Sequence, residues 1–188
     1  QLYQAGIKNV LSVSGTSLTN QHATMISKMC KTVYICYDGD EAGINSAIRA
    51  GYTLLKNNLE GKIIAMPKGL DPDDLIQKEG KESFDNHIKS ALSVIEFHYK
   101  NKIDNDSSER KKIEFIKDAI LELSVINDDL IVESLVKELS YLSGFSAQSI
   151  FSSIEKNKKT TRNKITTSQE TINSKNNEES ISLIDKEL

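Results

Sequence analysis

The feature that most limits what this chain can fold into is the apolar, β-branched and aromatic run Val33–Tyr37, which ends directly in Asp38-Gly39-Asp40. Such a run is typical of a strand buried on both faces of a parallel sheet. A pattern with apolar residues at helical spacing follows over Glu41–Lys56. The order of strand, acidic turn and helix predicts an α/β fold with this turn at the carboxyl end of a strand.

Segments on both sides extend the same alternation. Val10–Val13 is a short apolar run before a helical pattern at Thr19–Met29, and Lys62–Met66 is a later run that ends in the loop Pro67–Asp73. We therefore expect three parallel strands. Ligands of open parallel sheets collect at the carboxyl ends of the strands, so the loops there are the candidate site.

The second half has a different pattern. After residue 90 the strand signals stop, and helical patterns cover Ala91–Lys102, Ser108–Val125, Asp128–Leu142 and Ser146–Lys156. Short polar loops between amphipathic helices are typical of a small bundle packed on itself or on the sheet.

These patterns predict three parts: an α/β unit at 1–90, an all-helical subdomain at 91–156 and a flexible tail at 157–188. The tail is rich in Asn, Ser, Thr and Lys, and buries too little apolar surface to offset its ordering entropy, so we expect disorder. Because the chain begins without methionine, in a helix-like segment, we also expect it to be part of a longer polypeptide.

Composition excludes several classes of protein. The 188 residues are 38% apolar and 27% charged, as in ordinary globular proteins, and no apolar run approaches the roughly 20 residues that span a bilayer. The net charge of −3 gives no global basic field that would indicate nucleic acid. Cys30 and Cys36 fit neither a zinc pattern nor a disulfide framework. We expect both to be core residues in a reducing cytoplasm.

Two of the predicted strand-end loops are acidic. Asp38 and Asp40 are two positions apart, so their side chains share one face of an extended segment. Asp71 and Asp73 occupy the second loop. Carboxylate oxygens at one edge suit Mg²⁺, or alternatively Mn²⁺. The four aspartates are therefore the candidate metal ligands, with Asp38 and Asp40 as the candidate catalytic pair.

Each acidic loop also has a purely structural interpretation. Asp40 could cap the following helix with Asp38 as a turn residue, and Asp71 could cap a helix that has Pro72 at its first position. Like charges gathered at one edge are costly unless a cation compensates them, so the two loops together favour the metal interpretation.

The stretch Ser14–Thr19 is a candidate phosphate or nucleotide contact. Gly15 and Thr16 lie among hydroxyl side chains ahead of a predicted helix, where anions bind. A helix cap at Thr16 or Thr19 is an equal alternative.

These loops, in this order, resemble the TOPRIM domain, the α/β metal-binding module of primases and topoisomerases. More narrowly, the chain resembles the bacterial DNA primases of DnaG type over about residues 1–155. The segments that carry this resemblance are YQAGIKNVLSVSGTSLTNQH, VYICYDGDEAG and MPKGLDPDDLIQKEGKESF, and a helical region follows them. The resemblance implies a TOPRIM-type parallel sheet followed by helices. It also implies an RNA polymerase that makes short primers on single-stranded DNA from NTPs with Mg²⁺.

The resemblance further implies roles for the site residues. In two-metal phosphoryl transfer, one ion activates the primer 3′-hydroxyl and the other stabilises the leaving pyrophosphate. Asp38 would bridge the ions with Asp40 beside it, while Asp71 and Asp73 would hold a further ion or tune the site through water. Lys68 could meet a triphosphate, or could be a solvated lysine.

Other parts of such a protein would lie outside these residues. The resemblance implies a glutamate in an EGYxD-type motif just upstream of Gln1, a zinc-binding template module before it, and a helicase-binding domain after the linker. We therefore expect single-stranded DNA, NTPs and a replicative helicase as partners of a monomer with no membrane contact. We expect the 188 residues alone to be inactive.

Three competing interpretations stay open. The first is another TOPRIM enzyme, such as a topoisomerase or a phage-type primase-helicase. A topoisomerase needs a catalytic tyrosine on a separate domain, whereas Tyr99 and Tyr141 lie in helical packing patterns. The second is a non-catalytic module that binds metal or a partner. The third, a phosphate-accepting receiver-type domain, leaves the acids at 71–74 unexplained.

Overall fold

The computed structural model describes residues 2–13, 17–104 and 106–160. Within them the strands are β1 (Thr32–Ile35), β2 (Glu60–Ile63) and β3 (Leu92–Ser93), and the helices are α1 (Asn20–Ile26), α2 (Glu41–Lys56), α3 (Pro72–Lys89), α4 (Val94–Lys102), α5 (Glu109–Leu123), α6 (Asp129–Ser143) and α7 (147–160). None of the described helices is long and apolar enough to cross a membrane.

The sheet has the order β1-β2-β3. β1 and β2 are parallel, with Thr32 opposite Glu60 and Ile35 opposite Ile63, and α2 connects them. This strand–helix–strand unit confirms the predicted α/β fold. β3 pairs antiparallel to β2 and places Leu92 opposite Ile63. It was not predicted, because two residues directly before a helix carry no strand periodicity.

Two strand expectations are wrong. Val10–Val13 forms no strand, and its Val10 and Leu11 side chains are 38% and 71% exposed. An apolar run becomes a strand only where a neighbour satisfies its backbone, and among the described residues β1 pairs with β2 alone. The expectation that β1 is buried on both faces is also wrong, because Tyr34 in this strand is 47% exposed.

The helical part shares one hydrophobic core with the sheet. A single cluster of buried side chains runs from the sheet and α2 into the later helices, and it includes Ile35, Leu54, Ile63, Val94, Ile95, Leu123, Leu139 and Ile154. α4 contacts β2 and β3 directly. A Cβ on Gly51 would come within 2.7 Å of the Val94 Cγ2 atom, so α2 and α4 are in direct contact at this glycine.

A second, smaller core lies beneath α3. It is formed by Ile64, Leu75 and Phe84, with the partly buried Leu2 and Ile7 packed against it. The N-terminal segment is therefore held against α3 and the end of β2.

Most predicted helix limits are confirmed within a few residues, and Asp128 and Gly144 cap the two ends of α6. Two other expectations need correction. Residues 157–160 continue α7, where Lys158 Nζ lies 3.4 Å from Asp129 Oδ1, so the predicted tail begins later than Asn157. The rest of that tail lies outside the described residues. Cys30 is exposed, while Cys36 is half-buried.

His98 is a buried polar residue at the junction of α2, α4 and α5. It is 5% exposed, its Nδ1 lies 3.0 Å from the Tyr52 hydroxyl, and its ring packs edge-on against Phe115. Burial, assisted by the Lys102 charge, lowers the pKa of His98 to about 4, although Asp118 and Glu122 act in the opposite direction. The imidazole is therefore neutral in the folded protein at neutral pH.

This pKa predicts a pH dependence of stability. Between pH 6.5 and about 4 the unfolded chain binds a proton at His98 that the folded chain does not. The free energy of unfolding should therefore decrease as the pH falls through this window, by at most about 1.4 kcal/mol per pH unit. Urea unfolding of the parent and of His98→Gln measures the effect as the difference between their slopes, which removes the shared contribution of the carboxylates. Identical slopes would contradict the assignment.

Candidate functional site

The two acidic loops lie against each other at the carboxyl ends of β1 and β2. The Gly39 N–H donates to the Leu70 carbonyl at 2.9 Å, and the Gly69 N–H donates to the Gly39 carbonyl at 3.3 Å. A Cβ on Gly39 would be 2.0 Å from the Pro67 carbonyl oxygen, so only glycine fits this approach. We call this backbone contact the loop clasp. It brings the two predicted halves of the site together.

Two of the four predicted ligands cap helices. Asp40 Oδ1 accepts from the Gly43 N–H at 2.6 Å at the start of α2, and Asp71 Oδ1 accepts from the Asp74 N–H at 2.7 Å at the start of α3. Pro72 occupies the first turn of α3, as predicted. The structural interpretation of Asp40 and Asp71 is thus confirmed. Each cap uses one carboxylate oxygen, so it does not preclude metal binding by the other.

Asp38 differs from both. Its side chain is exposed, and within the described part of the chain it has no hydrogen-bond or ion-pair partner. Its backbone is fixed, because a Cβ on Gly43 would be only 2.1 Å from the Asp38 carbonyl oxygen. Burial and the Asp38 charge together raise the pKa of the Cys36 thiol to about 12, so this thiol stays protonated beside the site.

The remaining predicted residues are spread around the clasp. Asp73 is exposed in the first turn of α3, and Lys68 is exposed in the loop after β2. Gly15 and Thr16 lie outside the described residues. Thr19 caps α1 in a reciprocal capping box with His22, which confirms the cap alternative at that position.

The donor set fits a magnesium ion with few protein ligands. Among the described residues no group of three or more His, Cys, Asp or Glu side chains is arranged to hold a metal. Asp38 and the second oxygen of Asp40 nevertheless supply hard oxygen donors at one solvent-open edge. Mg²⁺ commonly binds through one or two carboxylates and fills its other positions with water and phosphate oxygens.

An open cleft of about 170 Å³ extends from this edge beneath α4. Its lining is mainly apolar and includes Ile44, Ala47, Ile64, Met66, Leu92 and Phe97. The lining residues with polar side chains are Tyr37, Asp38, Lys100 and Asn101. Sequence analysis missed the last two, since they lie far along the chain on a helix. Their helical spacing from buried Phe97 is the one signal that places them on the sheet-facing side.

Comparison with protein families identifies the first part of the chain. Residues 1–76 match a model described as Toprim-like. A curated DNA primase from Listeria monocytogenes is 35% identical over 141 residues, which are 73% of this chain and 22% of that protein. The chain thus spans about a fifth of the length of such relatives.

Solved structures show the same relationship. A DNA primase domain from Pseudomonas aeruginosa has a TM-score of 0.70 and 25% identity, and the match covers 82% of this chain and 50% of that one. A DnaG primase catalytic domain bound to single-stranded DNA has a TM-score of 0.62 and 28% identity, covering 74% of this chain and 47% of that one.

The loop clasp makes a prediction about Gly39. Gly39→Ala should lower the free energy of unfolding by more than about 2 kcal/mol, since the new methyl group overlaps backbone atoms that cannot rotate away. Gly144→Ala is the matched control. Its left-handed backbone, with φ of 78° and open space around it, should cost about 1 kcal/mol. Urea unfolding compares the two, and an equal or smaller loss for Gly39→Ala would show that the loops are not in tight contact.

Proposed function

Because this chain belongs to the bacterial DNA primase family, we propose that it forms part of an RNA polymerase that synthesises short primers on single-stranded DNA. The observation that carries the proposal is the loop clasp, which fixes the exposed Asp38 carboxylate where two parallel strands end. The activity belongs to the longer polypeptide, since these residues correspond to about a fifth of the curated relatives.

The site residues have distinct proposed roles. Asp38 and Asp40 hold Mg²⁺ or Mn²⁺, while Asp71 and Asp73 act at a further ion or through water. When bound, the metal supplies charge neutralisation for the transferred phosphoryl group. The clasp contributes rigidity, because Asp38 lies between two closely packed backbone contacts at Gly39 and Gly43.

We propose further that the substrates are NTPs and a single-stranded DNA template. Support comes from the related catalytic domain that was solved with single-stranded DNA. Lys68 is exposed beside the clasp, where it is free to approach a triphosphate, and Gly15 and Thr16 remain proposed nucleotide contacts. We keep the division at residue 90, contact with a replicative helicase, and a monomeric state as parts of the same proposal.

The alternatives are less well supported. The named relatives are DNA primases rather than topoisomerases. A receiver-type domain would give no role to the acids at 71–74, although their loop is the one joined to Gly39. A non-catalytic metal module has no observation in its favour.

The first test replaces Asp38. Asp38→Asn keeps the shape of the side chain and removes its charge, so primer synthesis should fall by at least about a hundredfold in the full-length enzyme. Folding should be unchanged because the side chain is exposed and has no partner among the described residues. Asp106→Asn, an exposed aspartate in the loop before α5, is the control and should retain activity. Normal primer synthesis by Asp38→Asn would show that Asp38 is not part of the site.

The second test compares lengths of polypeptide. The 188-residue chain alone should make no primers from NTPs on single-stranded DNA with Mg²⁺ and should bind the metal weakly. The same residues within a polypeptide extended upstream should be active. Gel analysis of labelled primers compares synthesis by the two polypeptides, and robust synthesis by the short chain would refute the need for additional residues.

A further inference from the structure

The cleft beside Asp38 has two walls from different parts of the sequence. One is formed by the turn after β1 and the start of α2, and the other by the last turn of α4 with Lys100 and Asn101. The helical part of the chain therefore contributes side chains to the same cleft as the proposed metal ligands.

The two charged residues that line this cleft carry opposite charges. Asp38 lies on one wall and Lys100 on the other, in a lining that is mainly apolar. A metal-bound phosphate at Asp38 would bring negative charge that the carboxylate cannot offset and the ammonium can.

Lys100 is available for such a contact. Its Nζ lies 2.8 Å from Glu96 Oε1 one helical turn earlier, and its side chain is 55% exposed. Exposed pairs at this spacing contribute little to stability, so exchanging Glu96 for a phosphate costs little. Asn101 is more fixed, because its Nδ2 donates to the Phe97 carbonyl at 2.8 Å.

We propose that Lys100 binds a phosphate group of the incoming nucleotide in the cleft that ends at Asp38, with Asn101 forming the adjacent wall. The inference rests on the proposed function and adds a nucleotide-binding residue from the helical part. Lys100 contributes to nucleotide binding and does not contact the reacting atoms.

The experiment uses the full-length enzyme and the variant Lys100→Met, which keeps most of the aliphatic stem. Isothermal titration with Mg·GTP in the absence of template measures nucleotide affinity, fluorescence anisotropy measures affinity for labelled single-stranded DNA, and primer synthesis gives KM and kcat. Loss of one exposed charge–phosphate contact should raise the nucleotide Kd and KM about fivefold. Values of kcat and of the DNA Kd should stay within about twofold.

Lys137→Met is the matched control, since Lys137 forms the same kind of pair with Glu133, at 2.7 Å, on α6. It should leave all four quantities unchanged, and Lys100→Arg should restore nucleotide affinity. An unchanged nucleotide Kd for Lys100→Met, or a loss confined to DNA affinity, would overturn the proposal. If the parent binds GTP but makes no primers, the proposed function fails while the affinity comparison still decides the role of Lys100. If it binds no GTP, both fail.

Discussion

The structure depends on a backbone contact between two loops, in which Gly39 meets the segment that follows β2. Two hydrogen bonds join them, and the Pro67 carbonyl occupies the space that a side chain at position 39 would need. Since the loops come from neighbouring parallel strands, this contact fixes where both acidic sequences lie. A side-chain bridge would not constrain them as closely, because rotamers can relax whereas backbone atoms cannot.

Helix capping and metal binding are compatible in this arrangement. Asp40 and Asp71 each accept one backbone hydrogen bond at the start of a helix. Such a bond orients the carboxylate and leaves its second oxygen available. The caps can therefore hold these side chains ready for a cation, while Asp38, without a partner among the described residues, remains exposed.

Local sequence predicted much of this fold because its signals are local. The limits of α2 and α6 depend on residues close in sequence, and they are confirmed within one residue. The errors concern long-range pairing. Val10–Val13 has the composition of a strand but no partner in the described sheet, whereas β3 has only two residues and is a strand because β2 lies beside it.

The same distinction applies to the candidate site. Aspartates within one loop could be found from their spacing, and their roles as ligands remain predictions. Lys100 and Asn101 could not be assigned to the cleft, because their position depends on how α4 crosses α2. At that crossing Gly51 lets Val94 approach α2 closely, and periodicity gives no crossing angle.

The wall of the cleft formed by α4 is held in place by several contacts. β3 ties the start of α4 to the sheet, and the Ser93 hydroxyl both caps α4 and donates to Glu138 of α6. Burial raises the pKa of Glu138, although the Ser93 hydrogen bond acts in the opposite direction. With a shared core beneath it, α4 cannot move away from the sheet without breaking these contacts together. The core that the sheet shares with the helical part therefore holds the α4 wall of the cleft in place.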